Sequence, residues 1–216
     1  MTKQKAAPVR RAEILDVAER LFVTQGYEQT SVQQVLDAVG IAKGTFYHHF
    51  ASKEAVMEGI IDRYVSAIAA RGEQVLAQHE GGPHQRFLAA VLAMQVQPGG
   101  QEQMLTELNK PQNALFHQRT AERTMAIAVP ILATVVREGV DQGAFRTDYP
   151  EEALELVLHY TAQVLDDLDP QHAATPRKLI AFVHHTELLL GAEPGSLAFI
   201  LDLFTNASAA KPEVAP

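Results

Sequence analysis

The tightest constraint on how this chain folds is Gly40, which stands between two short segments that each carry a helix-spaced apolar face. Val32, Val35, Leu36 and Val39 repeat at three- and four-residue intervals before it. Phe46 and Phe50, four apart, begin a second face just after it. A glycine at that point accepts the left-handed backbone that ends one helix and turns the chain sharply into the next. The turn Val39-Gly40-Ile41 therefore reads as the centre of a helix-turn-helix. The spacing predicts one helix over Ser31–Val39, capped by Thr30 or Ser31, and a second over Ala42–His48.

The same period governs the rest of the sequence. Ile14, Leu15, Ala18, Leu21 and Phe22 mark a helix over Pro8–Gln25, with Gly26 at its end. Ser52 caps a long helix over Lys53–Gln78 with Val56, Ile60, Tyr64 and Ile68 in register. Further helices are expected over His84–Val96, Gln101–Asn109, Gln112–Asp141, Pro150–Asp167 and Pro176–Leu190, with a short one near Pro194–Phe204. Pro130 falls inside the Gln112–Asp141 helix and predicts a kink, because proline lacks the N–H for the bond to the preceding turn. No alternating strand pattern, hairpin signal or fixed-period repeat interrupts this reading. The expected fold class is all-α: a three-helix head over residues 1–53, a larger helical domain over 54–206, and a disordered tail over 207–216.

Charge distinguishes the two parts. The net charge is −8, but residues 1–53 carry +2 and residues 54–216 carry −10. A locally basic head on an acidic remainder fits two jobs on one chain. With 47% hydrophobic residues the chain can bury a large core, and with no cysteine it has no disulfide or thiolate-bound metal. The start carries Lys3, Lys5, Arg10 and Arg11 and lacks the apolar run of a secretion signal. No stretch reaches the ~18 uninterrupted apolar residues of a membrane span. A soluble cytoplasmic protein without a membrane partner is expected.

The second helix of the turn motif has the dimensions and chemistry of a DNA reader. Seven residues at about 1.5 Å each make roughly 10 Å, and a major groove is roughly 12 Å wide. Phe46 and Phe50 hold its back, leaving Lys43, Gly44, Thr45, Tyr47 and His48 on the other side. Lys43 can reach a phosphate or a guanine edge, and Thr45 a phosphate or a thymine methyl. Gly44 removes a side chain where backbone must come close to DNA. Tyr47 and His48 can donate to phosphate oxygens. Lys53, Thr30 and Ser31 sit at helix starts, where unpaired N–H groups favour anions. Arg10 and Arg11 can reach the flanking backbone or the minor groove.

The segment from Thr30 through Phe50, followed by Ser52-Lys53-Glu54, closely resembles the signature of the TetR/AcrR family of repressors. The shared elements are Thr-Ser-Val, a helix, a glycine turn, Lys-Gly-Thr-Phe-Tyr-His-His-Phe and Ser-Lys-Glu. Two positions depart from the usual pattern: Val39 replaces alanine, and Ala42 replaces a common serine, which removes one cap from the reading helix. The resemblance spans roughly residues 8–60. A weaker one covers Asn109–Gln118 and its continuation. It implies an all-α homodimer that binds double-stranded operator DNA through the head. The C-terminal domain would bind ligand and dimerise, with repression relieved by a small-molecule effector.

On that resemblance the helices over Pro150–Asp167 and Pro176–Leu190 form the dimer face, with Leu154, Leu158, Thr161, Leu165, Phe182, Val183 and Leu189 as candidates. A ligand pocket is expected among the helices between Lys53 and Asp167. Its candidates are Phe87, Met94, Met104, Leu108, Phe116, His117, Met125, Tyr160 and Gln163, apolar groups with a few polar ones. No nucleophile elbow, phosphate loop, dinucleotide fingerprint or HExxH motif is present, so an enzyme is not expected. The paired His184 and His185 diverge by about 100° on a helix, and no metal or cofactor is expected. The alternative to a ligand-released repressor is a constitutive DNA-binding protein without an effector. The size and acidity of residues 54–216 weigh against it.

Overall fold

A computed structural model describes residues 6–94, 113–161 and 175–201, and all regular structure among them is helical. In chain order the helices are α1 (Ala7–Gln25), α2 (Val32–Val39), α3 (Lys43–His49), α4 (Lys53–Gln78), α5 (Pro83–Met94), α6 (Ala114–Asp141), α7 (Pro150–Tyr160) and α8 (Thr175–Leu190). The expected all-α class with an N-terminal helix-turn-helix holds. The expected helix over Gln101–Asn109, the end of the one over Pro150–Asp167, and the tail lie outside the described residues. Pro130 stands inside α6, which continues through it, and the Thr134 hydroxyl donates to the Pro130 carbonyl at 3.1 Å. The expected helix from Pro194 begins later: residues 194–199 form turns, and helix starts at Ile200.

The chain divides into two compact units, residues 1–68 with 96–124 and residues 69–95 with 125–216. This differs from the expected boundary between residues 53 and 54. The reason is helix length. At about 1.5 Å per residue, α4 with 26 residues and α6 with 28 are each roughly 40 Å long, more than a small domain needs. Each helix therefore contributes one end to each unit.

The first unit buries Ile14, Ala18 and Phe22 of α1 together with Val35, Phe46, Phe50, Met57, Ile60 and Ile61. The guanidinium of Arg63 on α4 pairs with Asp16 and Glu19 of α1. The second unit has its own core, drawn from Phe87 and Ala90 of α5, Leu132 and Val136 of α6, Leu154 and Val157 of α7, and Phe182, Val183 and Leu190 of α8. Its C-terminal turns are pinned by a buried carboxylate. Glu187 Oε1 accepts the Leu197 N–H at 3.0 Å, and the Glu187 carbonyl accepts the Ala192 N–H at 2.9 Å.

Close packing in the second unit depends on Gly139, where α6 meets the buried ring of Phe145. A methyl group at that position would land inside the ring. Gly139→Ala should therefore destabilise the protein by about 1–3 kcal/mol through overpacking, although alanine is the better helix former. Denaturant unfolding would measure this. A variant as stable as the parent would show that the ring moves aside without cost.

Candidate nucleic-acid interface

The reading head is assembled from local rules. Ser31 caps α2 in a capping box: its hydroxyl accepts the Gln34 N–H at 3.2 Å, and the Gln34 side chain accepts the Ser31 N–H at 2.7 Å. At the other end Gly40 adopts φ 75° and ψ 42°, and the N–H groups of Gly40 and Ile41 both donate to the Leu36 carbonyl, at 2.8 and 3.1 Å. Three residues later α3 begins at Lys43. Ala42 holds its N-cap position with no side-chain hydrogen bond, as the replacement of serine there implied.

Phe46 fixes which side of α3 faces out. It is 1% exposed, with Phe50 6.1 Å away and the Tyr47 ring edge-on at 5.3 Å. The opposite side presents Lys43, Gly44, Thr45, Tyr47 and His48, all exposed, as the spacing predicted. The Lys43 ammonium lies 5.9 Å from the centre of the Tyr47 ring, so a cation and a phenol share one patch. Gly44 is informative in another way. A Cβ built on it meets nothing within 4 Å among the described residues, and its φ is an ordinary one. Neither backbone conformation nor packing among the described residues requires glycine there, although glycine costs a helix about 1 kcal/mol relative to alanine.

Four of the expected contact residues are placed with partners inside the head. Thr30 is 1% exposed, and its hydroxyl donates to the Gly26 carbonyl at 2.7 Å while accepting from Gln25 at 3.0 Å. Its side chain closes the corner between α1 and α2 and does not face solvent, which corrects the expected phosphate role. Lys53 turns inward as well. Its Nζ donates to the Tyr27 carbonyl at 2.8 Å and lies 4.2 Å from the centre of the Tyr27 ring. Arg10 pairs with Glu13 at 2.6 Å, and the Arg11 guanidinium lies 4.9 Å over the Phe50 ring. Ser31 remains exposed beside its capping box. Tyr27 is the residue that the sequence reading missed. Its lone aromatic side chain, just after Gly26, signalled only a loop position.

The C-terminal candidates separate. Leu154, Phe182 and Val183 are buried in their own unit's core, and Leu158 packs against it. They are therefore not exposed for a partner, which corrects the expected dimer face. The Thr161 hydroxyl donates to the Val157 carbonyl at 2.9 Å. Leu189 is exposed, and Leu165 lies outside the described residues. The exposed apolar side chains on these helices lie one step round: Leu156 and Tyr160 on α7, with Ile180, Leu188 and Leu189 on α8. Leu156, Tyr160 and Leu189 border a groove of about 660 Å³ that Arg177, Lys178 and His185 also line. Each helix carries two overlapping apolar stripes, and sequence spacing did not say which one the core takes.

Of the expected pocket residues, Phe116 and His117 belong to the first unit, and Phe87, Met94, Met125 and Tyr160 to the second. Phe87 and Phe116 are buried, Met94 and Met125 half-buried, and His117 exposed. Tyr160 is on the surface, stacked on Phe182 at 5.7 Å, because its ring covers the outer edge of the core. Met104, Leu108 and Gln163 lie outside the described residues. Among the described residues no cluster of three or more histidine or carboxylate groups is placed to hold a metal, and no helix is long and apolar enough to cross a membrane.

Electrostatics sets one testable feature of the head. Burial, with the positive charges of His48, Arg10 and Arg11, holds the His49 imidazole below its ordinary 6.5. In the window between that lowered value and 6.5 the unfolded chain binds more protons, so stability falls as pH drops through it. His49→Gln should flatten the loss of thermal stability between pH 7.5 and pH 5.5. An unchanged slope in a melting series would remove His49 from the acid response.

Comparison with known proteins agrees with this geometry. The family model described as bacterial regulatory proteins, tetR family, matches residues 14–60, and that described as tetracyclin repressor-like, C-terminal domain, matches residues 98–183. The HTH-type transcriptional repressor KstR2 of Rhodococcus jostii is 37% identical over 68 residues, covering 32% of this chain but only 33% of that protein. The HTH-type transcriptional repressor Rv1474c of Mycobacterium tuberculosis is 26% identical over 204 residues, 91% of each chain. Among solved structures, the TetR family transcriptional regulator PfmR of Thermus thermophilus is 26% identical, with a TM-score of 0.52 over 83% of this chain and 97% of that one. With one model on the reading head and the other on the helical remainder, in that order, the chain belongs to the TetR family of bacterial regulatory proteins, transcriptional regulators that bind DNA through such a head.

Proposed function

We propose that this chain is a homodimeric repressor that binds double-stranded operator DNA in the cytoplasm through α3 and is released by a small-molecule effector held in its C-terminal unit. The observation that carries the reading is the exposed face of α3. Lys43, Thr45, Tyr47 and His48 share one side of a short helix whose other side is anchored by Phe46. Nothing among the described residues requires the glycine within that face to be glycine. Close approach of DNA backbone or bases supplies the missing reason.

Lys43→Ala and Tyr47→Ala should each weaken binding to a duplex selected by the parent chain from a random-sequence library, by roughly 1–3 kcal/mol, with helicity unchanged. If Lys43 holds a phosphate, its loss should also reduce the salt slope by about 1. Gly44→Ala separates folding from recognition. It should raise thermal stability slightly while weakening duplex binding. A stabilised Gly44→Ala protein with parental affinity would show that DNA does not come close to this position.

The dimer is proposed to form across the exposed stripe of α7 and α8. Leu156 and Ile180 are each 61% exposed and Leu188 64%, too much apolar surface on two adjacent helices to be left in water without function. Leu156→Glu with Ile180→Glu should give helical monomers that have lost most of their operator affinity, since two half-sites must be held together. Sedimentation would show it, and a dimer that survives both changes would place the interface elsewhere.

The effector site is proposed in the second unit. There Met94 lies against Gly72 of α4, with Cγ and Sδ 2.9 Å from where a Cβ would stand. The buried Nη2 of Arg71 has no acceptor among the described residues, which supports an effector carrying an acceptor oxygen. Because α4 contributes to both units, an effector that prefers a shifted α4 would lower operator affinity by population shift. The two relatives named as repressors support the direction of control.

A further inference from the structure

The corner between α1 and α2 is gripped by a residue from far along the chain. The Tyr27 N–H donates to Asn113 Oδ1 at 3.1 Å across 86 positions. Asn113 is 1% exposed and stands immediately before α6. The Tyr27 carbonyl accepts Lys53 Nζ at 2.8 Å and the Thr30 N–H at 3.2 Å. Its ring meets Phe22 edge-on at 5.1 Å. The backbone of one residue is thus fixed on its N–H side from α6 and on its carbonyl side from α4. That residue determines where α2 starts, and through the Gly40 turn where α3 lies.

The start of α6 is itself held. Arg119 pairs with Glu58 at 2.9 Å, and Arg123 reaches Glu58 at 3.4 Å and Asp62 at 3.5 Å. Asn113 and these arginines lie in the first unit, while α6 continues into the second from residue 125. Asn113 falls within the residues matched by the C-terminal family model, yet its side chain serves the DNA-binding head.

We propose that Asn113 is a positioning residue for DNA binding: its carboxamide latches the Tyr27 backbone and so sets operator affinity without touching DNA. The latch rests on α3 being the reader. Losing the acceptor leaves a buried N–H unpaired, so the corner loosens and the head spends less time in the arrangement that fits the groove.

The test compares Asn113→Leu, which keeps the branched heavy-atom shape and loses the acceptor, with Asn113→Asp, which keeps an acceptor oxygen. Full-length proteins are titrated with the duplex selected by the parent chain, and amide exchange is followed by mass spectrometry over residues 23–31. Asn113→Leu should remain a dimer, exchange faster over that segment and bind on the order of tenfold more weakly, with the parental salt slope. Asn113→Asp should stay within a few-fold of the parent. Parental affinity in Asn113→Leu despite faster exchange would overturn the latch. So would equal losses in the two variants, which would mark Asn113 as packing only. If Asn113→Leu does not fold, the parent alone decides. Bound duplex must slow exchange over residues 23–31, by reciprocity of coupling, and unchanged exchange would overturn the proposal. Lys43→Ala, run alongside, reports separately on α3: normal binding by that variant indicts the reader and not the latch.

Discussion

The burial of Phe46 is the interaction on which the head depends. A seven-residue helix is too short to persist alone in water. α3 exists because one side chain, 1% exposed, docks it into a core already built by α1, α2 and α4. A fully buried phenylalanine contributes roughly 1.5–3 kcal/mol over an exposed one, enough to hold a short helix to a rigid base. That single anchor decides the rest of the surface. With Phe46 inward, the hundred-degree steps of the helix put Lys43, Thr45, Tyr47 and His48 outward together. Phe50 extends the anchorage just beyond the helix, packed near Gly59 of α4, and Arg11 caps its ring from α1.

Around this anchor the charged groups do structural work first. Lys53, Arg10 and Arg11 all lie within reach of internal partners, and the Tyr27 backbone collects bonds from two directions. A helix-turn-helix must present its reader at a fixed angle, and a three-helix head of this size has little apolar area with which to do so. Polar ties at the α1–α2 corner supply rigidity where the core is thin.

Much of this was legible in the sequence. Gly40 and the Phe46/Phe50 pair gave the turn and the outward face, because both follow from local geometry. The limits of α4 matched because Ser52 and the apolar register mark them clearly. What spacing could not supply was long-range. Thr30 looked like a cap facing solvent, and only the folded corner shows its hydroxyl turned to Gly26. Lys53 looked like a cation awaiting phosphate until Tyr27 was found beneath it. Leu154, Phe182 and Val183 were placed at a partner surface, and they fill their own core instead. Periodicity finds apolar stripes but does not say which stripe a second helix covers. The domain boundary was drawn at a motif edge, whereas the physical division crosses two long helices.

The central claim is that two copies of α3 read the major groove of one duplex. Methylation interference on the selected operator tests this most directly, because methyl groups at guanine N7 lie in the major groove and those at adenine N3 in the minor groove. Blocked binding is expected from guanine N7 methylation in two half-sites roughly one helical turn apart. Interference confined to adenine N3, or to a single unpaired site, would contradict it.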